Sequence, residues 1–331
     1  YAGSEAIFLD ANENPFDNGF NRYPDPYQRM VKKKLAAYKQ VEESRLILGN
    51  GSDEIIDLLI RSLCQPREDN LIVFSPGYSM YEVCGAINDV EIRKINLQTD
   101  LQPDWREVER QSDASTKLIF LCTPNNPLGN VIPLAEIEKI CEKFMGLVVV
   151  DEAYIDFTEF PSALTLLRRH ENLFVLQTLS KAWGMAGLRL GIGYGTPALI
   201  GILNRVKAPY NISVLTQRTV LDVLEQREEF QEKLRVIKKE RERLFRAFVQ
   251  LDIFRSVFPS EANFILVTLD DFRELYDFLV QQKMVVRLRN IPPLVEGGLR
   301  ISIGVPEEND RLLAWLLYTS PSPRDRSLSR M

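Results

Sequence analysis

The chain of 331 residues contains one histidine, His170, and that scarcity removes most histidine-based chemistry at the outset. A catalytic triad or a histidine-rich metal site would have to use a residue that follows Arg168 and Arg169 and precedes an apolar run, where a solvated position is expected. The four cysteines, Cys64, Cys84, Cys122 and Cys141, show no CxxC spacing and read as reduced core thiols, so no metal is expected. Basic residues are not in excess: 41 Lys and Arg against 46 Asp and Glu leave a net charge of −5, which gives no electrostatic case for nucleic acid. No apolar run approaches the length of a bilayer span, and the first residues lack a basic-then-apolar secretory pattern. The expectation is a cytoplasmic protein acting on small molecules, with no membrane or nucleic-acid partner.

What is present suffices for a large core, since 45% of the residues are hydrophobic, and the length suits a major and a minor domain. Short apolar runs at Leu71 to Phe74, Leu118 to Cys122, Leu147 to Val150 and Leu173 to Leu176 alternate with helical patterns. That alternation predicts βαβ units around a mainly parallel sheet. Ile55, Ile56, Leu59, Ile60 and Leu63 fall on one face of a helix that should begin near Ser52. A long charged helical pattern runs from Ser213 to Leu251 and could bridge two domains. Beyond it, Phe264 to Leu269, Asp271 to Gln282, Val285 to Leu288 and Leu299 to Ile303 predict a strand, helix, strand, strand unit with a final helix from Glu307. The expected division is an N-terminal segment over 1–30, a large domain over 31–245, a small domain over 246–318 and a Ser/Pro/Arg tail over 319–331, expected to be disordered or foreign to the fold.

Five motifs follow predicted strand ends or open predicted helices. Lys181 lies in the run Thr178 to Arg189, flanked by small and apolar residues. In such confinement an amine can lose its proton and serve as a nucleophile suited to a Schiff base. Ser180 and Arg189 add a hydroxyl and a planar cation that together match a phosphate. Gly49 to Glu54 forms a glycine-bearing turn at a helix start, where backbone amides at Gly51, Ser52 and Asp53 can cradle an anion. Asp151, in Asp151 to Tyr154, ends a strand where open α/β sheets place their ligands, and can pair with a protonated ring nitrogen. Asn126, in Thr123 to Gly129, would bring an amide to the same crevice, and Tyr78, in Ser75 to Tyr78, an aromatic face. Each motif alone is as well explained by a surface lysine, a helix cap, a turn or a core tyrosine. Their convergence on one edge is what points to a site.

Together these residues resemble the fold-type I aminotransferases, which depend on pyridoxal 5′-phosphate, and within them the histidinol-phosphate aminotransferase family, from Phe8 to about Leu317. The runs Leu9 to Pro15 and Asn21 to Pro24 look like that family's N-terminal signature. The resemblance implies a large cofactor-binding domain with a mainly parallel seven-stranded sheet flanked by helices, plus a smaller α/β domain. It implies Lys181 as the lysine bonded to the cofactor, Asp151 at the pyridine nitrogen, Asn126 and Tyr154 at the ring oxygen, and Tyr78 on the ring face. The phosphate would be held by Gly51, Ser52 and Asp53 with Ser180 and Arg189. Tyr23 would join them from the other subunit of a homodimer, whose contacts include the N-terminal segment. Arg300, Arg287 and Asn12 would bind substrate. The implied reaction transfers the amine of L-histidinol phosphate to 2-oxoglutarate, giving imidazole acetol phosphate and glutamate.

The cofactor motifs alone leave other readings open. An aromatic aminotransferase and a threonine-phosphate decarboxylase share the scaffold, and a non-catalytic pyridoxal-phosphate-binding regulator or an inactive fragment would keep much of the site. A regulator should carry a basic DNA-binding module, and none is visible in the sequence.

Overall fold

The computed structural model describes residues 7–319, and of the expected tail, residues 320–331 lie outside that range. After α1 (Arg29–Lys39) the chain enters β1 (Leu46–Asn50), α2 (Ser52–Leu63), β2 (Asn70–Ser75), α3 (Met80–Ile87), β3 (Glu91–Asn96) and α4 (Trp105–Gln111). It continues through β4 (Thr116–Cys122), α5 (Leu134–Lys143), β5 (Leu147–Asp151), β6 (Leu173–Thr178), β7 (Leu190–Tyr194) and α6 (Pro197–Val206).

These strands form one seven-stranded sheet in the order β1-β7-β6-β5-β4-β2-β3. Every neighbouring pair is parallel except those of β7, which runs antiparallel to both β1 and β6. The carboxyl ends of β1, β2, β4, β5 and β6 therefore share one edge, the place where such sheets bind ligands. Alternation along each central strand explains its stability. Ile119, Val148, Val150 and Val175 enter the core on one face, whereas Leu118, Phe120, Val149 and Phe174 enter the core on the other. Truncating Phe120, 1% exposed, to alanine should cost about 3–5 kcal/mol.

The pattern from Ser213 to Leu251 is two helices, α7 (Val214–Val223) and α8 (Arg227–Val249), rather than one. Between them the amides of Glu225 and Gln226 bond back to the carbonyls of Asp222 and Val223, a tight turn that keeps Leu224 buried. Val220 and Leu224 before the turn and Phe230 and Leu234 after it pack against the same core, with the helical phase broken between them. Within α8, Phe230 and Leu234 join the core of the large sheet while Leu244 and Phe248 join a second core.

That second core belongs to a smaller antiparallel sheet. It contains β8 (Ser256–Val257), β9 (Phe264–Thr268), β10 (Arg287–Ile291) and β11 (Val295–Ser302) in the order β10-β11-β9-β8, with α9 (Phe272–Gln281) between β9 and β10 and α10 (Pro306–Thr319) after β11. Phe264 and Leu266 of β9 face the large core, and Ile265 and Val267 face the second. The strand expected at Val285 to Leu288 begins two residues later. Val285 reads as strand because it is β-branched, yet it is 84% exposed, and pairing starts where Arg287 meets Arg300.

All four cysteines are buried and free. Burial raises the thiol of Cys84 to about 11 and that of Cys64 to about 12, so neither offers a thiolate at neutral pH. His170 departs from the expected solvated position: its side chain is 12% exposed, with Nε2 3.5 Å from Glu138 of α5. The turn before β6 folds the basic stretch back over that helix.

Candidate active site

The site starts with the loop between β1 and α2. Gly51 has φ +77°, a left-handed backbone that favours glycine, and a Cβ there would lie 2.6 Å from Nη2 of Arg189. Gly191 of β7 is needed for a different reason. A Cβ there would lie 2.4 Å from the Ser52 amide nitrogen, so glycine lets the loop close onto the sheet. No side chain caps α2. Its leading amides thus remain available beside Arg189, whose Nη2 is 3.6 Å from Asp53, and beside Ser180, whose hydroxyl accepts from Thr178 at 2.9 Å. A helix start, a guanidinium and a hydroxyl make a cradle for a dianionic phosphate.

Along the same edge, Asp151 ends β5 in nearly complete burial. Its Oδ1 accepts from the amide of Ala153 at 3.0 Å and its Oδ2 from the hydroxyl of Tyr81 at 2.7 Å. Burial raises its pKa, and these two hydrogen bonds only partly offset that. A buried carboxylate with no cation bonded to it is unfavourable unless it meets a positively charged group. Tyr78 reaches the cleft with its hydroxyl donating to Asp53 at 2.8 Å, and Tyr154 is buried edge-on against Phe264. Burial raises the pKa of both phenols, so both are donors at neutral pH.

Lys181 follows β6 and turns its amine into the open cleft, 5.5 Å from the centre of the Tyr154 ring. Surrounding protein and then Arg300 lower its pKa, while Asp151 and Asp53 oppose the shift. The amine is therefore neutral, and nucleophilic, at a lower pH than a free lysine. Asn126 is buried in the β4–α5 loop, and its Oδ1 accepts from Nη1 of Arg300. That bond fixes the amide so that its nitrogen is left to donate into the cleft.

Ten nominated residues line this one cleft. Gly51, Ser52 and Asp53 form one end with Ser180 and Arg189; Tyr78, Asn126, Asp151, Tyr154 and Lys181 form the rest. Arg300 and Arg287 line an adjoining cavity, joined to the cleft by the bond from Arg300 to Asn126. Tyr23 and Asn12 are not brought to either cavity within one chain. Tyr23 is 56% exposed and stacks on Tyr210 at 4.3 Å, and it is held by Glu13, which accepts from its amide and pairs with Arg22 at 2.7 Å. Asn12 is exposed, at φ 55°.

Tyr81 was not anticipated. Its spacing from Tyr78 is only a weak signal, because Tyr78 lies before α3; in the structure the two rings meet edge to face at 5.5 Å. It also stacks on Phe120 at 4.6 Å, so its hydroxyl is rigidly aimed at Asp151.

The donor set fits pyridoxal 5′-phosphate: a cradle for the phosphate at one end, a buried carboxylate for a protonated ring nitrogen, donors for the ring oxygen, and an amine for the aldehyde. Comparison with known proteins agrees. Residues 5–316 match the family described as aminotransferase class I and II. A protein of Flavobacterium johnsoniae named histidinol-phosphate aminotransferase is 47% identical over 306 residues, 92% of this chain and 88% of its own. The crystal structure of the histidinol-phosphate aminotransferase from Clostridium acetobutylicum superposes with a TM-score of 0.82 at 26% identity, covering 90% of each chain. The fold is also that of the Sinorhizobium meliloti histidinol-phosphate aminotransferase solved with pyridoxal-5′-phosphate, with TM-score 0.81, 23% identity, and 93% of this chain and 84% of that one covered.

Proposed function

The chain belongs to the class I and II aminotransferase family, and on that premise we propose that it transfers the amine of L-histidinol phosphate to 2-oxoglutarate, yielding imidazole acetol phosphate and L-glutamate in the biosynthesis of L-histidine. The observation that carries the reading is the placement of Arg300: bonded to Asn126, it stands at the boundary between the lysine cleft and an arginine-lined cavity. An anionic group held there leaves the substrate amine facing Lys181. One guanidinium can receive a phosphate in one half-reaction and a carboxylate in the other, which suits a ping-pong exchange.

Pyridoxal 5′-phosphate, when bound, supplies an aldehyde that captures the substrate amine and a ring that accepts electron density from the substrate carbon. The chain's residues do the rest. The α2 amides, Ser180 and Arg189 would hold the phosphate, Asn126 and Tyr154 would donate to the ring oxygen, and Tyr78 would cover a ring face. Asp151 would keep a proton on the ring nitrogen. Lys181, whose free amine faces the cleft, would move the proton of the substrate carbon, as base and then acid.

Incubation of the loaded enzyme with both substrates should give imidazole acetol phosphate and glutamate in equal amounts without carbon dioxide. Release of carbon dioxide from threonine phosphate with no glutamate formed would replace this reading by a decarboxylase. Arg300→Ala should raise KM for histidinol phosphate and for glutamate alike, by about ten- to a hundredfold each. A loss confined to one substrate contradicts a shared anion site.

The reading extends to a cytoplasmic homodimer with small-molecule substrates and no nucleic-acid or membrane partner. No helix among the described residues is long and apolar enough to cross a membrane. Phe16, Phe20, Tyr23, Tyr27 and Met30 are all exposed in the N-terminal segment, an apolar surface that a second subunit would cover. If Tyr23 completes the partner's phosphate cradle, equal mixtures of Tyr23→Ala and Lys181→Ala chains form half their dimers mixed, each with one intact site of two. About a quarter of unmodified activity should then return at limiting cofactor. A mixture no better than the mean of its parents places Tyr23 outside the neighbouring site.

A further inference from the structure

The small sheet brings a third arginine to the substrate cavity. Arg287 and Arg289 are two residues apart on β10 and share a face. The register sets Arg287 opposite Arg300 of β11 and Arg289 opposite Gly298, which has no side chain to cover it. All three arginines line one open cavity of about 430 Å³. Among the described residues, no aspartate or glutamate lies within ion-pair distance of any of the three. Arg289 makes only a 3.5 Å contact with the carbonyl of Leu288, and Nε of Arg300 is buried without a partner. Burial lowers the pKa of Arg289, and the charges of Arg300 and Arg287 lower it further. Three like charges fixed on a hairpin repel one another, and an anion among them relieves the repulsion.

The chemistry of the two substrates decides which anion profits. A carboxylate is bonded directly to the reacting carbon, whereas a phosphomonoester on the same carbon stands farther out, through a methylene and an oxygen. Arg300 touches Asn126 at the edge of the cleft; Arg287 and Arg289 line the cavity beyond. We propose that Arg289 is a specificity residue that, with Arg287 and Arg300, binds the phosphate dianion of a phosphomonoester amine and favours it over a carboxylate at that position. This rests on the reading in which Arg300 receives the substrate's anion.

The test is titration of the cofactor-loaded enzyme with inorganic phosphate, followed calorimetrically, because the bound cofactor already occupies the other phosphate cradle. Arg289→Gln should weaken phosphate binding about tenfold, and Arg289→Lys, a point charge without the planar fork, should weaken it less. In the half-reactions, Arg289→Gln should raise KM for histidinol phosphate several times more than KM for glutamate. Unchanged phosphate affinity, or equal rises in both KM values, overturns the proposal. If Arg289→Gln weakens phosphate binding while the unmodified enzyme fails to transaminate histidinol phosphate, the anion site stands and the substrate assignment alone fails. An unaltered absorption spectrum of the bound cofactor certifies the variant's fold, and the Lys variant carries the comparison should the Gln variant lose cofactor.

Discussion

Lys181→Ala is expected to reduce multiple-turnover transamination by at least about a thousandfold, because one amine is assigned both the covalent hold on the cofactor and the proton transfer. Cofactor binding should weaken without vanishing. The α2 amides, Ser180 and Arg189 are untouched by the substitution and lie at the other end of the cleft. The measurement pairs steady-state turnover with equilibrium dialysis of the cofactor. Turnover within a few-fold of the unmodified enzyme would remove Lys181 from the mechanism, whatever the cofactor affinity.

Asp151→Ala is expected to slow proton removal from the substrate carbon by about a hundredfold or more, with a smaller change in cofactor affinity, since the proposed role of Asp151 is to keep the ring nitrogen charged. A single-turnover absorbance trace reads the step directly, and an unchanged rate would exclude that role. A pH experiment on the cofactor-free protein probes the same carboxylate. Its folded pKa lies above its unfolded value. The stability it contributes is therefore fully present below the unfolded pKa and lost as pH rises through the folded one. Asp151→Asn removes that loss, so it should raise the Tm of the cofactor-free protein at neutral pH, by roughly 2–4 °C for each kcal/mol relieved, and do little at pH 4. A lower Tm at neutral pH would mean that the hydrogen bonds from Tyr81 and Ala153 already outweigh the cost of burial.

The central strands were legible in the sequence because burial on both faces demands uninterrupted apolar runs: β4, β5 and β6 carry Ile119, Val149 and Phe174 with almost no polar break. β2 was legible in the same way from Leu71 to Phe74, but β1, β3 and β7 were not read individually, for local reasons. β7 spends two of its five positions on Gly191 and Gly193, which serve close packing and weaken any strand signal; β3, at the sheet edge, alternates half-exposed charges; β1 runs straight into the glycine turn. The break between α7 and α8 was hidden because no glycine or proline marks it, and the polar run from Glu225 to Glu229 reads as the exposed face of a continuing helix.

The cleft was legible because its residues sit in short motifs at strand ends, and topology brings strand ends together. The arginine face was only half legible. Arg287 and Arg300 were nominated by resemblance, but Arg289 lies beyond the strand expected to end at Leu288, and its place beside Arg300 depends on the hairpin register. Tyr81 depends on a rotation of α3 over Asp151 that no sequence spacing specifies by itself.

The most direct measurement of the proposed function is the single-turnover half-reaction of the cofactor-loaded enzyme with a panel of amines: histidinol phosphate, phenylalanine, tyrosine and threonine phosphate. The account predicts the highest rate constant over apparent affinity for histidinol phosphate, with imidazole acetol phosphate as the product. A higher value for phenylalanine or tyrosine would contradict it and make the protein an aromatic aminotransferase. Carbon dioxide from threonine phosphate would contradict it as a decarboxylase.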